Sequence, residues 1–317
     1  MVANAALDYA RFVDLDWVSR VAGGGKARRG ARLQSLWDGY GEIVRVELAG
    51  GEVESVVVKC VKPPARAKSD VSDARKRRSY EVERVFYERF ALRCSEACRV
   101  PRLLGARAAR ESDGERVFVL EDLDAAGYGE RRRSANGDTL DRCLAWLAAF
   151  HATFFASAPN GLWATGTYWH LATRRDELAR ADEAVRALAP RIDAKLASCV
   201  HRTLVHGDAK LANFCFGRDA VAAVDFQYVG GGCGVKDVAY LVSGEPDETR
   251  AVDGYFRHLR RELAARTIDA AAVETEWRAL YPFACADFYR FLAGWAPEHF
   301  ARDRHAQRTL EEIARRL

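Results

Sequence analysis

The 317-residue sequence lacks long hydrophobic stretches and any strong excess of one charge. It has no run of about 18 apolar residues, so we expect no transmembrane helix. Charged side chains at Asp8, Arg11, Asp14 and Asp16 interrupt the apolar segment that a signal peptide requires. With 49 basic and 45 acidic side chains, the formal net charge is only +4. We therefore expect a cytoplasmic chain that has neither a membrane nor a nucleic acid as its partner.

Motifs that would define several other protein classes are also missing. Of eight cysteines only Cys94 and Cys98 are close, which favours buried thiols in a reducing cytosol over a zinc site. The string GGGK at residues 23–26 lacks the first glycine of a P-loop, and Ala27 stands where Ser or Thr is needed. The string GGGCG at residues 230–234 lacks the dinucleotide-binding pattern, so an oxidoreductase is disfavoured and a tight turn is predicted.

Length and hydrophobic patterning predict two domains of different character. The first part alternates like β-strands and contains one helix, whereas helical periodicity prevails after the linker that starts at Asp122. We predict an α+β fold with an N-terminal domain at residues 1–122 and a C-terminal domain at residues 123–317. The predicted strands span residues 32–37, 42–48, 54–61, 102–108 and 116–121, and the longest predicted helices span residues 73–93 and 176–197.

The most informative segment is the string HGDAKLAN at residues 206–213, followed by Asp225. Phosphoryl transfer requires an acceptor for a hydroxyl proton, oxygen ligands for magnesium, and positive charge near the phosphates. Asp208 can orient a hydroxyl and accept its proton, and Lys210 can neutralise the transferred phosphate. Asn213 and Asp225 offer the oxygen ligands that Mg²⁺ prefers. The alternative is that the two aspartates and the amide are an ordinary turn cap, strand end and loop residue.

A second pair of charged residues is predicted in the N-terminal domain. Alternation places Lys59 on the same strand face as Val57 and Val61, where a lone ammonium is costly. Glu83 lies on the apolar face of the following helix, which makes it the acid on the inner side. A Lys59–Glu83 pair would explain both residues. The alternative is that the lysine side chain extends to solvent.

The motif at residues 206–213, together with VDFQ at residues 224–227, resembles that of the aminoglycoside phosphotransferase and choline kinase superfamily. The resemblance spans roughly residues 35–245, and the longer string looks closest to the ecdysteroid-kinase-like branch. It implies a two-lobed protein-kinase-like fold that binds ATP and Mg²⁺ between its lobes. Gln227 stands where protein kinases have glycine, which favours a small-molecule substrate over a protein.

The resemblance also implies roles for residues that spacing alone does not assign. Gly39 and Gly41 resemble a shortened glycine-rich loop over the phosphates, although a plain turn explains them as well. Backbone groups of Glu121 and Leu123 would meet the adenine at a hinge. Asp237 would brace the catalytic loop, and a favourable charge at a helix N-terminus is the alternative.

Other polar and aromatic residues of the second half leave their roles open. A satisfied core histidine is the favoured interpretation of His151, and His206 is expected to be a scaffold. Asp287 could pair with a substrate amine or with a neighbouring arginine. Core packing is favoured for the aromatic side chains, although they could line an acceptor site and cage a cationic amine. These are Trp163, Tyr168, Trp169, Tyr289 and Trp295.

These observations predict a phosphotransferase that uses ATP and Mg²⁺ and phosphorylates a hydroxyl of a small molecule. An amino alcohol, an aminoglycoside, a sterol and a sugar all remain open as acceptors. One alternative is a catalytically inactive kinase-like module that binds nucleotide and acts through partners. A more remote alternative is a binding surface for nucleic acid or protein around the basic residues 26–32.

Overall fold

The computed structural model describes residues 13–64, 70–110, 114–134 and 137–317, and the chain divides into two compact units. Asp8 and Arg11, on which the expected absence of a signal peptide partly rests, lie outside the described residues. The first unit comprises Met1–Leu92, Val100–Glu130 and Cys215–Ala222; the second comprises Arg93–Arg99, Arg131–Phe214 and Ala223–Leu317.

The first unit is built on a five-stranded antiparallel sheet with the order β1-β2-β3-β5-β4. Its long helix α2 is extended by a π-helical turn at Phe86–Phe90 and a 3₁₀ turn at Ala91–Arg93. The elements are α1 (Leu15–Val21), β1 (Lys26–Ser35), β2 (Gly41–Ala49), β3 (Ser55–Val61), α2 (Asp70–Val85), β4 (Leu103–Arg110) and β5 (Glu115–Glu121).

Strand register decides which side chains of this sheet are buried together. Val58 of β3 pairs with Val44 of β2 and Val119 of β5, and these valines belong to the buried cluster beneath α1. Because successive side chains of a strand alternate between faces, the neighbouring Lys59 projects from the opposite face. There it pairs in register with Phe118. The valine-rich face therefore forms the core, and the other face carries the charged residue.

The second unit is mainly helical and contains short paired strands. Its longest helix, α8, packs against α4, α5, α6, α7 and α10. The helices are α3 (Gly137–Thr153), α4 (Arg175–Arg180), α5 (Glu183–Ala197), α6 (Val235–Val242), α7 (Glu248–Ala264), α8 (Ala270–Trp295), α9 (Pro297–Phe300) and α10 (Arg304–Arg316). Its paired strands are β6 (Thr203–Val205) and β9 (Gly230–Gly232). A second pair, β7 (Phe214–Phe216) and β8 (Val221–Ala223), lies mostly in the segment Cys215–Ala222, which belongs to the first unit.

The predicted α+β class is confirmed, but three predicted elements are wrong in detail. The first strand covers Lys26–Ser35 instead of residues 32–37, because it is an exposed edge strand that lacks apolar alternation. The helix predicted at residues 176–197 is interrupted, and Asp182 caps a new helix by accepting a hydrogen bond from the Val185 N–H.

The third error concerns the glycines at residues 230–232, which were expected to form a tight turn. They form a buried β-strand that pairs with Thr203–Val205. A Cβ atom on Gly230 would lie 2.3 Å from the carbonyl oxygen of Trp163, so glycine allows two backbones to approach closely here. Glycine in this segment therefore serves packing and not chain reversal.

The helices and the cysteines were also the subject of expectations about the class of protein. Within the described ranges, every helix is too short or too polar to cross a membrane. The eight cysteines are all free thiols, and all except the partly exposed Cys94 are buried.

Candidate active site

In the first unit, Lys59 and Glu83 form a buried ion pair. The Lys59 ammonium donates to both carboxylate oxygens of Glu83, at 2.9 and 2.7 Å. Lys59 is only 4% exposed and Glu83 only 1%. The ring centroid of Tyr80 lies 5.6 Å from the ammonium nitrogen. The lysine therefore does not extend to solvent, and its charge is held at a defined position by the helix.

The residues compared with a glycine-rich loop lie between β1 and β2. Gly39 ends a 3₁₀ turn at Trp37–Gly39, and Gly41 begins β2. Between them, the buried Tyr40 hydroxyl donates a hydrogen bond to Asp73 of α2. This contact anchors the turn to the helix that carries Glu83.

The expected hinge follows β5. The Glu121 N–H donates to the Arg102 carbonyl at 2.9 Å, and the Leu123 carbonyl accepts from the Tyr128 N–H at 2.8 Å. Among the described residues, none accepts a hydrogen bond from the Leu123 N–H. That N–H could therefore donate to a ligand.

Asp122, which lies between these two residues, has a role that the sequence did not indicate. Its carboxylate accepts hydrogen bonds from Arg45 Nε at 2.5 Å and from Ser55 Oγ at 2.7 Å. These contacts tie the segment after β5 to β2 and β3. An acidic residue at a strand end was visible in the sequence, but its partners on other strands were not.

In the second unit, the catalytic segment begins where β6 ends. Gly207 has a φ of +80°, and a Cβ atom there would lie 2.2 Å from the Tyr228 carbonyl oxygen. Asp237 of α6 accepts hydrogen bonds from the His206 N–H at 2.6 Å and from the Gly207 N–H at 2.9 Å. Asp237 therefore braces the loop directly, beyond any effect of its charge on the helix.

Two buried histidines support this arrangement. His151 contacts Asp237 Oδ2 through Nε2 at 3.0 Å and the Tyr255 hydroxyl through Nδ1 at 2.8 Å. His206 donates through Nε2 to the Val224 carbonyl at 3.1 Å, and burial lowers its pKa. Both side chains are satisfied within the protein, so they act as scaffolds.

Asp208 is buried with one carboxylate oxygen engaged and the other available. Oδ2 accepts hydrogen bonds from Lys210 Nζ at 3.0 Å and from Asn213 Nδ2 at 3.1 Å. Oδ1 is buried and has no hydrogen-bond partner among the described residues. Burial raises the pKa of Asp208 to about 6; the ammonium of Lys210 opposes this shift and the charge of Asp225 adds to it. A buried carboxylate oxygen without a partner is costly and is characteristic of functional sites.

Asn213 and Asp225 lie next to this carboxylate. The Asn213 amide nitrogen also donates to the Asp208 carbonyl at 2.8 Å, which turns the amide oxygen away from that loop. The Asn213 carbonyl accepts from the Val224 N–H at 3.0 Å and so holds the residue preceding Asp225. Asp225 has a φ of +71°, a conformation that non-glycine residues adopt rarely and often at functional sites.

The structure thus groups the candidate residues within each unit. Lys59 pairs with Glu83 in the first unit, whereas Asp208 contacts Lys210 and Asn213 in the second. Nowhere in the described part of the chain do three or more His, Cys, Asp or Glu side chains form a potential metal cluster. A cation beside Asp208 would therefore rely on Asp225, an amide oxygen and ligands from a substrate.

Asp287, Trp169 and Tyr289 have structural roles. Asp287 is buried and accepts hydrogen bonds from Arg290 at 2.6 Å and Trp169 Nε1 at 3.0 Å, with Lys236 Nζ 3.1 Å away. Trp169 and Tyr289 are buried in the core, whereas Trp295 is 51% exposed. Of the two alternatives for Asp287, the structure favours the neighbouring arginine.

Comparisons with known proteins identify the family of the chain. The model of the phosphotransferase enzyme family, APH, matches residues 44–283. No curated protein sequence is significantly similar to the chain. The ecdysteroid-kinase-like branch is not distinguished by these comparisons and stays a prediction.

Three solved structures share the fold at low sequence identity. Amicoumacin kinase hAmiN, in complex with AMP-PNP, Ca²⁺ and Ami, is 15% identical, with coverage of 97% of this chain and 95% of that chain and a TM-score of 0.56. Choline kinase from Cryptosporidium parvum Iowa II is 8% identical, with coverage of 92% and 88% and a TM-score of 0.55. A thermostable mutant of aminoglycoside phosphotransferase APH(4)-Ia, in a ternary complex with AMP-PNP and hygromycin B, is 15% identical, with coverage of 91% and 94% and a TM-score of 0.50.

At these identities the structural likeness establishes the kinase-like fold, and the family match supplies the chemistry. Because that match covers well over half of the sequence, the chain belongs to the phosphotransferase enzyme family and is a small-molecule kinase.

Proposed function

We propose that the chain transfers the γ-phosphate of ATP, in the presence of Mg²⁺, to a hydroxyl of a small molecule. The observation that carries this proposal is the Asp208 carboxylate, whose buried Oδ1 has no partner among the described residues. A general base needs such an oxygen within reach of the hydroxyl whose proton it accepts. The second oxygen is held by Lys210 and Asn213, which fixes the orientation of the group.

The neighbouring residues fit a magnesium ion. The Asn213 amide nitrogen donates twice to Asp208, so its amide oxygen is directed elsewhere and can act as a ligand. Asp225, in its left-handed conformation, adds a carboxylate. Mg²⁺ prefers such hard oxygen ligands and takes others from phosphate and water. When bound, it would neutralise charge on the phosphates of the nucleotide.

The first unit would hold the rest of the nucleotide. Lys59, fixed by Glu83, would contact the α- and β-phosphates, and the turn at residues 39–41 would lie near them. The Leu123 N–H, together with a backbone group of Glu121, would meet the adenine edge. Nucleotide binding is supported by two structures of this fold that contain AMP-PNP.

In the proposed reaction, Asp208 orients the acceptor hydroxyl and takes its proton. The hydroxyl oxygen bonds to the γ-phosphorus as the bond between that phosphorus and the β–γ bridging oxygen breaks, and ADP leaves with the bridging electrons. Lys210 can shift from Asp208 towards the transferred phosphoryl group and neutralise its charge. The acceptor is an alcohol of the amino alcohol, aminoglycoside, sterol or sugar-like classes.

The proposal is tested by magnesium-dependent ATP turnover with a panel of alcohols. We expect the Asp225→Asn variant to lose at least about a hundredfold in turnover, because a metal ligand that neutralises transition-state charge is removed. Asp219→Asn is the matched control, because the Asp219 side chain is 90% exposed. Full activity of Asp225→Asn, or a wild-type protein that fails to bind ATP with Mg²⁺, would refute the proposed function.

A further inference from the structure

The Tyr168 side chain lies beside the catalytic loop of the second unit. The backbone N–H of Tyr168 donates to the Gly207 carbonyl at 3.0 Å, and Gly207 directly precedes Asp208. The ring centroid of Tyr168 is 5.7 Å from that of Tyr240 and 5.9 Å from that of Tyr228. Tyr168 is partly exposed, so this aromatic group reaches the surface next to the proposed base.

Tyr240 of α6 approaches the carboxylate of Asp208. It follows Asp237 by three residues, so both side chains lie on one face of the helix. Asp237 is hydrogen-bonded to the catalytic loop, which places Tyr240 next to Asp208. Burial, followed by the charge of Asp208, raises the pKa of Tyr240, so its hydroxyl keeps its proton. The Tyr240 hydroxyl lies close enough to Asp208 for a weak hydrogen bond to add to this pKa shift, but the contact falls short of ordinary hydrogen-bond geometry, and Asp208 Oδ1 has no other partner among the described residues.

A cation of the protein already lies over the rings of Tyr168 and its neighbour Phe291. The Arg174 guanidinium lies 5.3 Å from the ring centroid of Tyr168 and 5.5 Å from that of Phe291. It is held by the Tyr168 carbonyl, which accepts from Nε at 2.6 Å, and by Glu177, which accepts from Nη1 at 3.1 Å. A substrate ammonium that approached the same ring faces would find them already covered by the guanidinium.

Two other acids of this part of the second unit, Glu177 and Asp287, have cations of the protein beside them. Arg174 neutralises Glu177, although the buried Oε2 atom of Glu177 has no partner among the described residues. Asp287 is matched by both Lys236 and Arg290. A polycationic acceptor would need carboxylates that are not already neutralised. The charge distribution around the tyrosine pair therefore disfavours amine-bearing acceptors.

From this geometry we infer that Tyr168 and Tyr240 hold the acceptor hydroxyl against Asp208, and that the acceptor is an uncharged alcohol. The two phenol groups can donate to and accept from the hydroxyl and a neighbouring oxygen of the alcohol. Arg174 occupies the ring faces that a substrate ammonium would need. The inference rests on the proposed phosphotransferase function and narrows its acceptor class.

The first test compares alcohols in matched pairs that differ by an amine. The pairs are glucose with glucosamine, 1-phenylethanol with 2-amino-1-phenylethanol, and glycerol with 3-amino-1,2-propanediol. Transfer of labelled γ-phosphate to each alcohol is measured with the full chain. We expect at least one uncharged member to be phosphorylated with a kcat/KM about tenfold above that of its amine partner, equivalent to about 1.4 kcal/mol.

Other outcomes of this test separate the inference from the proposed function. Preference for the amine members, or phosphorylation of none, overturns the inference. In either case, binding of ATP with Mg²⁺ that depends on Asp225 would leave the nucleotide site of the proposed function standing. Failure of the wild-type protein to bind ATP would instead remove the proposed function itself.

The second test uses variants of the surface with the preferred alcohol. Tyr240→Phe should lower kcat/KM for that alcohol about tenfold, because a buried hydrogen bond to the substrate is lost. It should leave the KM for ATP unchanged and raise the amount of ADP formed per phosphorylated alcohol. Arg174→Gln should reduce the preference for the uncharged member of the pair.

The matched control is Tyr281→Phe. It removes a hydroxyl of α8 that donates at 2.8 Å to Glu248 of α7. We expect this control to keep the wild-type kinetics and the wild-type ratio of ADP formed to alcohol phosphorylated. Equal effects of Tyr240→Phe and Tyr281→Phe, or an unchanged ADP-to-product ratio in Tyr240→Phe, would show that Tyr240 only stabilises the fold.

Discussion

Two buried carboxylates of the second unit, Asp208 and Asp287, differ in how they are satisfied. Asp287 has Arg290 at 2.6 Å, Trp169 Nε1 at 3.0 Å and Lys236 at 3.1 Å. Burial alone would raise its pKa, but Arg290 and then Lys236 hold the pKa below its ordinary value. Asp208 leaves Oδ1 without a partner among the described residues, and its pKa is raised to about 6 by burial.

The comparison separates a structural acid from a functional one. Both side chains are removed from solvent, so burial does not distinguish them. The difference is that Asp287 has its charge compensated inside the protein, whereas Asp208 retains an oxygen for a ligand. Sites that serve chemistry are often less stable than a fully satisfied alternative would be. Substitution of Asp208 should therefore mainly lower activity, whereas substitution of Asp287 should mainly lower stability.

The largest expected effect is on activity, in the Asp208→Ala variant. We expect phosphate transfer to fall by about a thousandfold, which is typical of losing a general base. ATP should still bind, and the free energy of unfolding should not fall, because an incompletely satisfied buried acid is removed. Steady-state kinetics, nucleotide titration and urea unfolding on one preparation measure all three. Full activity in this variant would refute the assignment of the base.

The next effect is on stability, in the Asp287→Ala variant. We expect the free energy of unfolding to drop by about 3–5 kcal/mol, because Lys236 and Arg290 are left buried without their carboxylate. Asp219→Ala at the exposed position should change it by less than about 0.5 kcal/mol. If both variants unfold at the same urea concentration, Asp287 is not the structural acid that the comparison requires.

A smaller effect extends the comparison to the first unit, where Glu83 is fully engaged by Lys59. In Glu83→Gln we expect the KM for ATP to rise about tenfold, equivalent to about 1.4 kcal/mol, because the lysine loses its charged anchor. The matched control is Glu81→Gln, which weakens a partly exposed ion pair with Arg84 on the same helix. A larger change of KM in the control than in Glu83→Gln would contradict the predicted role of the pair.

The smallest expected effect is on the stability contribution of Asp287 at low pH. The folded-state pKa of Asp287 is lowered by Arg290 and Lys236, and the charge of Asp193 lies nearby. Such a carboxylate contributes stability above its unfolded pKa near about 4, and the contribution is lost as pH falls through the folded pKa. The difference in unfolding free energy between wild type and Asp287→Asn should therefore narrow below about pH 4. A difference that widens in acid would contradict the lowered pKa.

Sequence analysis predicted those parts of the molecule that depend on local periodicity. Strand alternation and helical spacing placed Lys59 and Glu83 on inner faces, and the structure brings them into contact. The first strand was misplaced because its side chains are exposed on an edge strand and carry no apolar alternation. The glycine strand at residues 230–232 was missed because its cause, a close backbone contact with Trp163, is not local in sequence.

The same limit applies to the candidate site. The string at residues 206–213 and Asp225 could be found because their spacing is short and specific. Tyr240 and Arg174 could not, because their importance depends on rings and charges from several elements that meet only in the fold. Only the three-residue spacing of Tyr240 from Asp237 would have indicated a shared helical face.

The most direct test of the central claim is a crystal structure with a non-hydrolysable ATP analogue and Mg²⁺. Our account requires the metal to be bound by the Asn213 amide oxygen and the Asp225 carboxylate, with Asp208 Oδ1 facing the γ-phosphate and Lys59 contacting the α- or β-phosphate. A nucleotide bound away from these four side chains, or a metal held by other residues, would contradict it.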